Sequence, residues 1–176
     1  MNRPVSLVEP GTVKLERLLP GPVERVWAYL TESDKRAKWL AAGEFDLRVG
    51  GKVRLHFNNA SLTHDKAVAA KYGERGIGTF EGVITRLEPQ RVLAHTWNWD
   101  AKGHPAETEV TYELTPKGKQ VLLVITHRRM PKELVTAVMG GWDVHSGILE
   151  DILKGVEPRP FWKTHTRLEK EYGATL

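Results

Sequence analysis

The chain has no cysteine among its 176 residues, and this absence removes several kinds of chemistry at once. Disulfide bonds, thiolate metal sites and a cysteine nucleophile are all excluded. A chain without cysteine suits a reducing compartment, so we expect a cytoplasmic protein.

Long apolar runs are missing as well. No segment approaches the roughly 20 apolar residues that span a bilayer. Residues 1–12 include Arg3, Pro4, Glu9 and Pro10 where a signal peptide would need an apolar core. We therefore expect no membrane insertion and no export.

Charge of one sign is not concentrated in any segment. The formal net charge of +4 would suit an anionic partner. Basic and acidic residues are nevertheless interspersed, as in the run Glu32, Asp34, Lys35 and Arg36. Such mixing is typical of a solvated surface, so we predict no nucleic-acid partner.

Catalytic and metal-binding motifs are also absent. The sequence has no Gly-x-Ser-x-Gly elbow and no His-Glu-x-x-His, and its histidines never share ligand spacing on one element. Gly50-Gly51 lacks the Lys-Ser/Thr of a phosphate loop and is interpreted as a hairpin turn. We predict no catalytic residue, no metal and no cofactor.

What the sequence does contain is an ordered series of apolar patterns. Alternation predicts strands, and the i, i+3, i+4, i+7 spacing predicts helices. The predicted order is a strand, two short helices, six strands and one long helix, at residues 12–19, 22–40, 44–49, 52–58, 78–87, 91–99, 107–115, 119–128 and 131–154.

Successive strands with tight turns predict a curved antiparallel meander, and the long helix is the element that can cover its apolar face. We therefore predict an α+β helix-grip fold with six or seven strands wrapped around the C-terminal helix. The predicted domain covers residues 12–156, after a flexible N-terminus at residues 1–11.

Residues 157–176 form an extension with an apolar stripe at Phe161, His165, Leu168 and Tyr172. A short amphipathic helix is marginal alone, so we expect it to dock on the domain. The alternatives are a frayed tail, or a segment that binds a protein partner or a second copy of the chain. Deleting residues 158–176 should lower the melting temperature and leave ligand affinity nearly unchanged.

Several short motifs occur in an order that resembles a known family. They are Leu15-Glu16-Arg17, Pro22-Val23-Glu24-Arg25-Val26-Trp27, Trp39-Leu40, Asp46-Leu47-Arg48-Val49-Gly50-Gly51, Glu88-Pro89-Gln90-Arg91-Val92-Leu93 with Trp97, Ile125-Thr126-His127, and Gly141-Trp142 before Leu149. The chain resembles the START-like (SRPBCC) superfamily, in the branch of the activators of heat-shock-protein-90 ATPase. The resemblance implies a helix-grip fold with an internal cavity. Members of the superfamily bind lipids, hormones or polyketides, and some are cyclases.

Strand parity predicts which side chains face that cavity, because alternate residues of a strand point to opposite faces. The candidates from the strands and the long helix are Arg17, Val53, Leu55, Phe57, His95, Trp97, Trp99, Tyr112, Leu123, Ile125, His127, Met139, Trp142 and His145. For the tryptophans and histidines, a role as packed, hydrogen-bonded core residues is favoured over a role in ligand binding or catalysis. An inward-facing Arg17 requires an anion, and a protein carboxylate is favoured over an acidic ligand.

Three functions fit this pattern. The first is binding of a small hydrophobic or aromatic molecule in the cavity, without catalysis. The second is a polyketide cyclase or hydrolase-like enzyme that uses His95, His127 or Tyr112 as acid or base. The third is a chaperone-associated interaction protein that works through its surface. The volume and lining of the interior should distinguish them.

Overall fold

The computed structural model describes residues 3–62, 64, 76–101 and 104–175, except for the side chains of residues 99–101 and 104–106. Its strands are β1 (Val5–Glu9), β2 (Thr12–Pro20), β3 (Lys52–Asn58), β4 (Ile77–Glu88), β5 (Val92–Ala101), β6 (His104–Lys117) and β7 (Gln120–Arg128). Its α-helices are α1 (Val23–Thr31), α2 (Ser33–Arg36), α3 (Val135–Lys154) and α4 (Phe161–Gly173).

The strands form one seven-stranded antiparallel sheet in the order β1-β2-β7-β6-β5-β4-β3. Strand β2 crosses to pair with β7, and the register joins Val13 to His127 and Leu19 to Val121. From β3 to β7 each strand pairs with its neighbour in sequence, as a meander requires. The predicted α+β helix-grip fold is confirmed.

Two local predictions were wrong. Residues 1–11 are not simply a flexible N-terminus, because Val5–Glu9 forms edge strand β1 and Val5 is 3% exposed. The segment at residues 44–49 is not a full strand, because only Phe45 bridges there to Val53 on β3. The turn after it is as predicted, with Gly50 at a φ of 82° that suits glycine.

Helix α3 is the central covering element. A single 3₁₀ turn precedes it, and it ends at Gly155, whose φ of 71° lies in the left-handed region that closes helices. Its inner face is buried, including Trp142, Ile148 and Leu149. Those side chains join the inward-facing residues of the sheet in one apolar core.

Helix α4 packs against the outer part of α3. The two backbones approach closely at Gly140, where an added Cβ would lie 3.4 Å from the nitrogen of Glu169. Phe161, Leu168 and Tyr172 are buried in this contact. The apolar stripe of the extension therefore packs against the chain itself.

Within the described residues, none of the helices combines the length and the apolar character that crossing a membrane requires.

Candidate functional site

A pocket opens between the sheet, α3 and α4, with a cavity volume of about 380 Å³. Its walls are mainly aromatic and aliphatic, and no described lining residue is Lys, Arg, Asp or Glu. The described lining residues are Leu40, Phe57, Asn59, Gly76, Ile77, Phe80, Trp97, His127, Leu134, Ala137, Val138, Gly141, Trp142, His145, Phe161, Trp162 and His165.

An aromatic cluster forms the sheet side of the pocket. The Trp97 ring on β5 lies 5.5 Å from Phe57 on β3 and 5.9 Å from Trp142 on α3, measured between ring centroids. The two tryptophans meet edge to face at 85°, a favourable geometry for aromatic pairs. Strand alternation places Phe57 and Trp97 on this side, so the wall follows directly from the sequence pattern.

His127 is held in this wall by a chain of hydrogen bonds. Thr108 Oγ1 donates to the Trp97 carbonyl at 2.9 Å, so it accepts from His127 Nε2 at 2.7 Å. Nδ1 of His127 then accepts from the indole nitrogen of Trp142 at 3.1 Å. Both ring nitrogens are occupied in the neutral form. Burial accordingly lowers the pKa of His127 to about 3.

His145 on α3 makes a different contact. Its Nδ1 lies 2.6 Å from the carbonyl oxygen of Trp39, which can only accept, so Nδ1 carries the proton. Burial lowers the pKa of His145 to about 4, because desolvation outweighs this hydrogen bond. At neutral pH the ring is uncharged.

Helix α4 supplies the third side of the pocket. The Phe161 ring lies 4.9 Å from His145 and stacks on His165 at 5.6 Å. Trp162 packs edge to face on Phe161 at 4.9 Å. Asp151 on α3 fixes the start of this helix, since its carboxylate accepts two side-chain hydrogen bonds from Arg159 at 2.7 Å. The sequence extension is therefore part of the pocket wall.

A sequence model described as activator of Hsp90 ATPase homolog 1-like protein matches residues 20–154, which is most of the chain. The chain belongs to this family. No curated protein matches it. Strand β1 and helix α4 lie outside the matched region.

Several solved structures share the fold. The protein encoded by gene BPP1335 of Bordetella parapertussis is 40% identical, with a TM-score of 0.77 over 97% of this chain and 89% of that one. CalU16 of Micromonospora echinospora is 23% identical, with a TM-score of 0.68 over 93% of this chain and 86% of that one. Protein CV1439 of Chromobacterium violaceum is 25% identical, with a TM-score of 0.63 over 86% of this chain and all of that one.

The pocket brings together five of the predicted site residues, which are Phe57, Trp97, His127, Trp142 and His145. Of the others, those with described side chains do not line it. Buried core positions are occupied by Val53, Leu55, His95, Tyr112, Leu123, Ile125 and Met139. The side chain of Trp99 lies outside the described residues. Parity identifies the inward face, but the pocket occupies only one end of that face.

Arg17 also lies away from the pocket. Its guanidinium donates to Asp143 Oδ1 at 2.7 Å and to Glu150 Oε2 at 2.8 Å. Its Nε donates to Ser146 Oγ at 3.0 Å. The favoured prediction, a protein carboxylate as partner, agrees with these contacts. Because α3 already supplies two carboxylates, Arg17 is not set up to bind an acidic ligand.

The sequence interpretation missed the contribution of α4. The stripe that contains Phe161 and His165 was interpreted as a docking face only, although both residues and Trp162 line the pocket. Deleting residues 158–176 would remove this wall, so the arrangement does not favour the expectation that the deletion leaves ligand affinity unchanged. The aromatic pair Phe161-Trp162 at the start of the stripe is a signal that could have indicated this.

Proposed function

We propose that the protein binds a small hydrophobic or aromatic molecule in the pocket between the sheet, α3 and α4. The observation that carries the proposal is the aromatic lining on all three sides, from Trp97 on the sheet, Trp142 on α3 and Phe161 on α4. A volume of about 380 Å³ lies within the range of roughly 300–1,000 Å³ typical of small-molecule sites.

The hydrogen bonds of the pocket support binding more than acid–base catalysis. His127 uses both ring nitrogens to hold Trp142 and Thr108, and its pKa of about 3 makes it a weak base at neutral pH. Tyr112 lies in the core, and burial raises the pKa of its hydroxyl well above its usual range. These groups are arranged to keep the aromatic walls in place.

Gly141 offers a direct test. It lines the pocket from α3, and an added Cβ there would meet no atom within 4 Å. In Gly141→Phe the new ring should occupy the cavity without displacing the fold. Gly141→Ala is the matched control, because it changes the same helical position and fills little of the volume.

The probe is N-phenyl-1-naphthylamine, a neutral aromatic compound whose fluorescence rises in apolar surroundings. We expect saturable binding to the unmodified chain and to Gly141→Ala, and at least roughly tenfold weaker binding to Gly141→Phe. Urea unfolding of both variants confirms that they are folded. Absence of saturable binding to the unmodified chain, or equal binding to both variants, contradicts the proposal.

A further inference from the structure

Three histidines line the pocket, and the hydrogen bonds of two of them, His127 and His145, differ in one respect. His127 has partners on both nitrogens. His145 has one on Nδ1, the Trp39 carbonyl, and within the described part of the chain its Nε2 has none. Because Nδ1 must donate to that carbonyl, Nε2 of the neutral ring carries a lone pair.

This lone pair belongs to a ring in the pocket wall. His145 is 5% exposed and lies between Phe57 and Phe161, whose ring centroids are 6.0 Å and 4.9 Å from its own. Asn59, another lining residue, has a buried side-chain oxygen without a hydrogen-bond partner among the described residues. Both groups accept hydrogen bonds, so the pocket offers acceptors beside aromatic surfaces.

The charges near the pocket limit the ligand further. No described lining residue is Lys, Arg, Asp or Glu, and the guanidinium of Arg17, which lies away from the pocket, is already paired with Asp143 and Glu150. A ligand carboxylate would lose its hydration without gaining a cation, which is costly.

We infer that the pocket selects an uncharged aromatic molecule with an O–H or N–H donor, and that His145 Nε2 accepts the hydrogen bond from this donor. The inference rests on the proposed function and narrows its ligand class. A phenol or an aromatic amine fits this chemistry, whereas an aromatic acid in its ionised form does not.

Three probes with the same ring system test the selection. They are 2-naphthol, which is a neutral donor, naphthalene, which has no polar group, and 2-naphthoate, which is an anion. With titration followed by tryptophan fluorescence at pH 7.5, we expect 2-naphthol to bind roughly tenfold more tightly than naphthalene, the effect of one good hydrogen bond. We expect 2-naphthoate to bind more weakly than naphthalene.

The variant His145→Asn separates the acceptor from the rest of the ring. The asparagine amide can still donate to the Trp39 carbonyl from the position of Nδ1, but it has no atom at Nε2. Compared with the unmodified chain, it should lose the preference for 2-naphthol over naphthalene, and the ratio of these two affinities is the readout because the loss of the ring can change both. The control is His56→Asn, because His56 is exposed on β3 and bonds Thr79. This control should retain the preference.

Nuclear magnetic resonance of the unmodified chain is a second test, which does not depend on whether His145→Asn folds. The ring nitrogens of His145 should show a protonated Nδ1 and an unprotonated Nε2, and 2-naphthol should shift the Nε2 resonance more than naphthalene does. Equal affinity for naphthalene and 2-naphthol, or a protonated Nε2, overturns this inference and leaves the proposed function intact. If none of the three probes binds, both are overturned.

Discussion

Arg36 and Arg17 are both shielded from solvent, but they lie in two regions that hold an arginine in different ways. Arg36, at the end of α2, is 1% exposed and donates to the backbone carbonyls of Leu30, Thr31, Ala41 and Gly43. Its guanidinium lies 3.7 Å above the Phe45 ring. Arg17, on β2, instead contacts side chains of α3, two of them carboxylates.

The difference shows what each arginine stabilises. The carbonyl partners of Arg36 lie within a few residues of it in sequence, so it fixes the path of the chain from α1 through α2. Burial lowers the pKa of Arg36 to about 10, and no described carboxylate is paired with it. Arg17 joins distant elements, since Asp143 also accepts from Tyr172 of α4 at 2.7 Å.

The largest effect that we expect is a loss of stability in acid. This loss should originate in the core between the regions of Arg36 and Arg17, and not in the contacts of the two arginines. Burial lowers the pKa of His95 and His145 to about 4 and that of His127 to about 3. The unfolded chain therefore binds more protons below about pH 6.5, and stability falls as the pH decreases from there towards about 4.

At pH 5 the loss should be about 2 kcal/mol for each of these histidines. The ion pairs of Arg17 should persist, because hydrogen bonds from Lys154 and Arg17 outweigh burial and keep the pKa of Glu150 below its usual range. Urea unfolding at pH 7 and pH 5 measures the change. Equal unfolding free energies at the two pH values would contradict the conclusion that these histidines are buried and neutral in the folded chain.

Arg36→Met should cost about 4 kcal/mol of unfolding free energy, because four carbonyl groups lose a buried donor. Hydrogen exchange should accelerate mainly in α1 and α2. The control is Arg54→Ala on β3, an exposed residue paired with Glu81, which should change stability by less than about 0.5 kcal/mol. If Arg36→Met also changes the unfolding free energy by less than about 0.5 kcal/mol, the four carbonyl hydrogen bonds of Arg36 do not stabilise the fold.

Arg17→Met should cost about 3 kcal/mol. The loss is smaller than for Arg36, since Asp143 keeps the Tyr172 hydroxyl and Glu150 keeps Lys154. Hydrogen exchange should accelerate in α4 and in the facing part of α3, and not in α1. If both arginine variants accelerate exchange in the same segments, the distinction between local and long-range stabilisation fails.

Tyr172→Phe should have the smallest effect of the four, about 1.5 kcal/mol, because it removes one hydrogen bond to a carboxylate and keeps the ring. In the Arg17→Met background the cost of Tyr172→Phe should differ, since Asp143 connects the two residues. A double-mutant cycle by urea unfolding measures this coupling. Strict additivity would show that Asp143 does not link β2 to α4.

The sequence predicted the region of Arg17 better than the region of Arg36. Strand alternation places Arg17 on the inward face and so indicates a buried cation that needs an anion. Arg36 belongs to a helix of four residues and a charged run, and that pattern was interpreted as a solvated surface. The interpretation was wrong for Arg36, because its partners are backbone carbonyls. Every residue has a backbone carbonyl, so the sequence does not indicate which of them accept a hydrogen bond.

The part of the pocket that could be predicted from the sequence lies on the sheet and on α3. Phe57 and Trp97 follow from period two along their strands, and Trp142 follows from the apolar face of α3. The aromatic pair Phe161-Trp162 indicates an apolar contact of α4, but the sequence does not specify where that contact lies, because its position depends on the crossing of two helices at Gly140. Alternation also cannot distinguish a packed inward residue such as Leu123 from one beside a cavity.

The crossover of β2 to β7 has a consequence for the order in which the chain folds. Among the described strands, the pairs from β3 to β7 join sequence neighbours. Strand β2 instead pairs with β7, which is about a hundred residues away along the sequence. Closing that loop costs entropy before its contacts form, so we expect the meander to be structured in the folding transition state and β2 to join afterwards. The ion pairs of Arg17 would then form on the downhill side of the barrier. They would slow unfolding and leave the folding rate nearly unchanged.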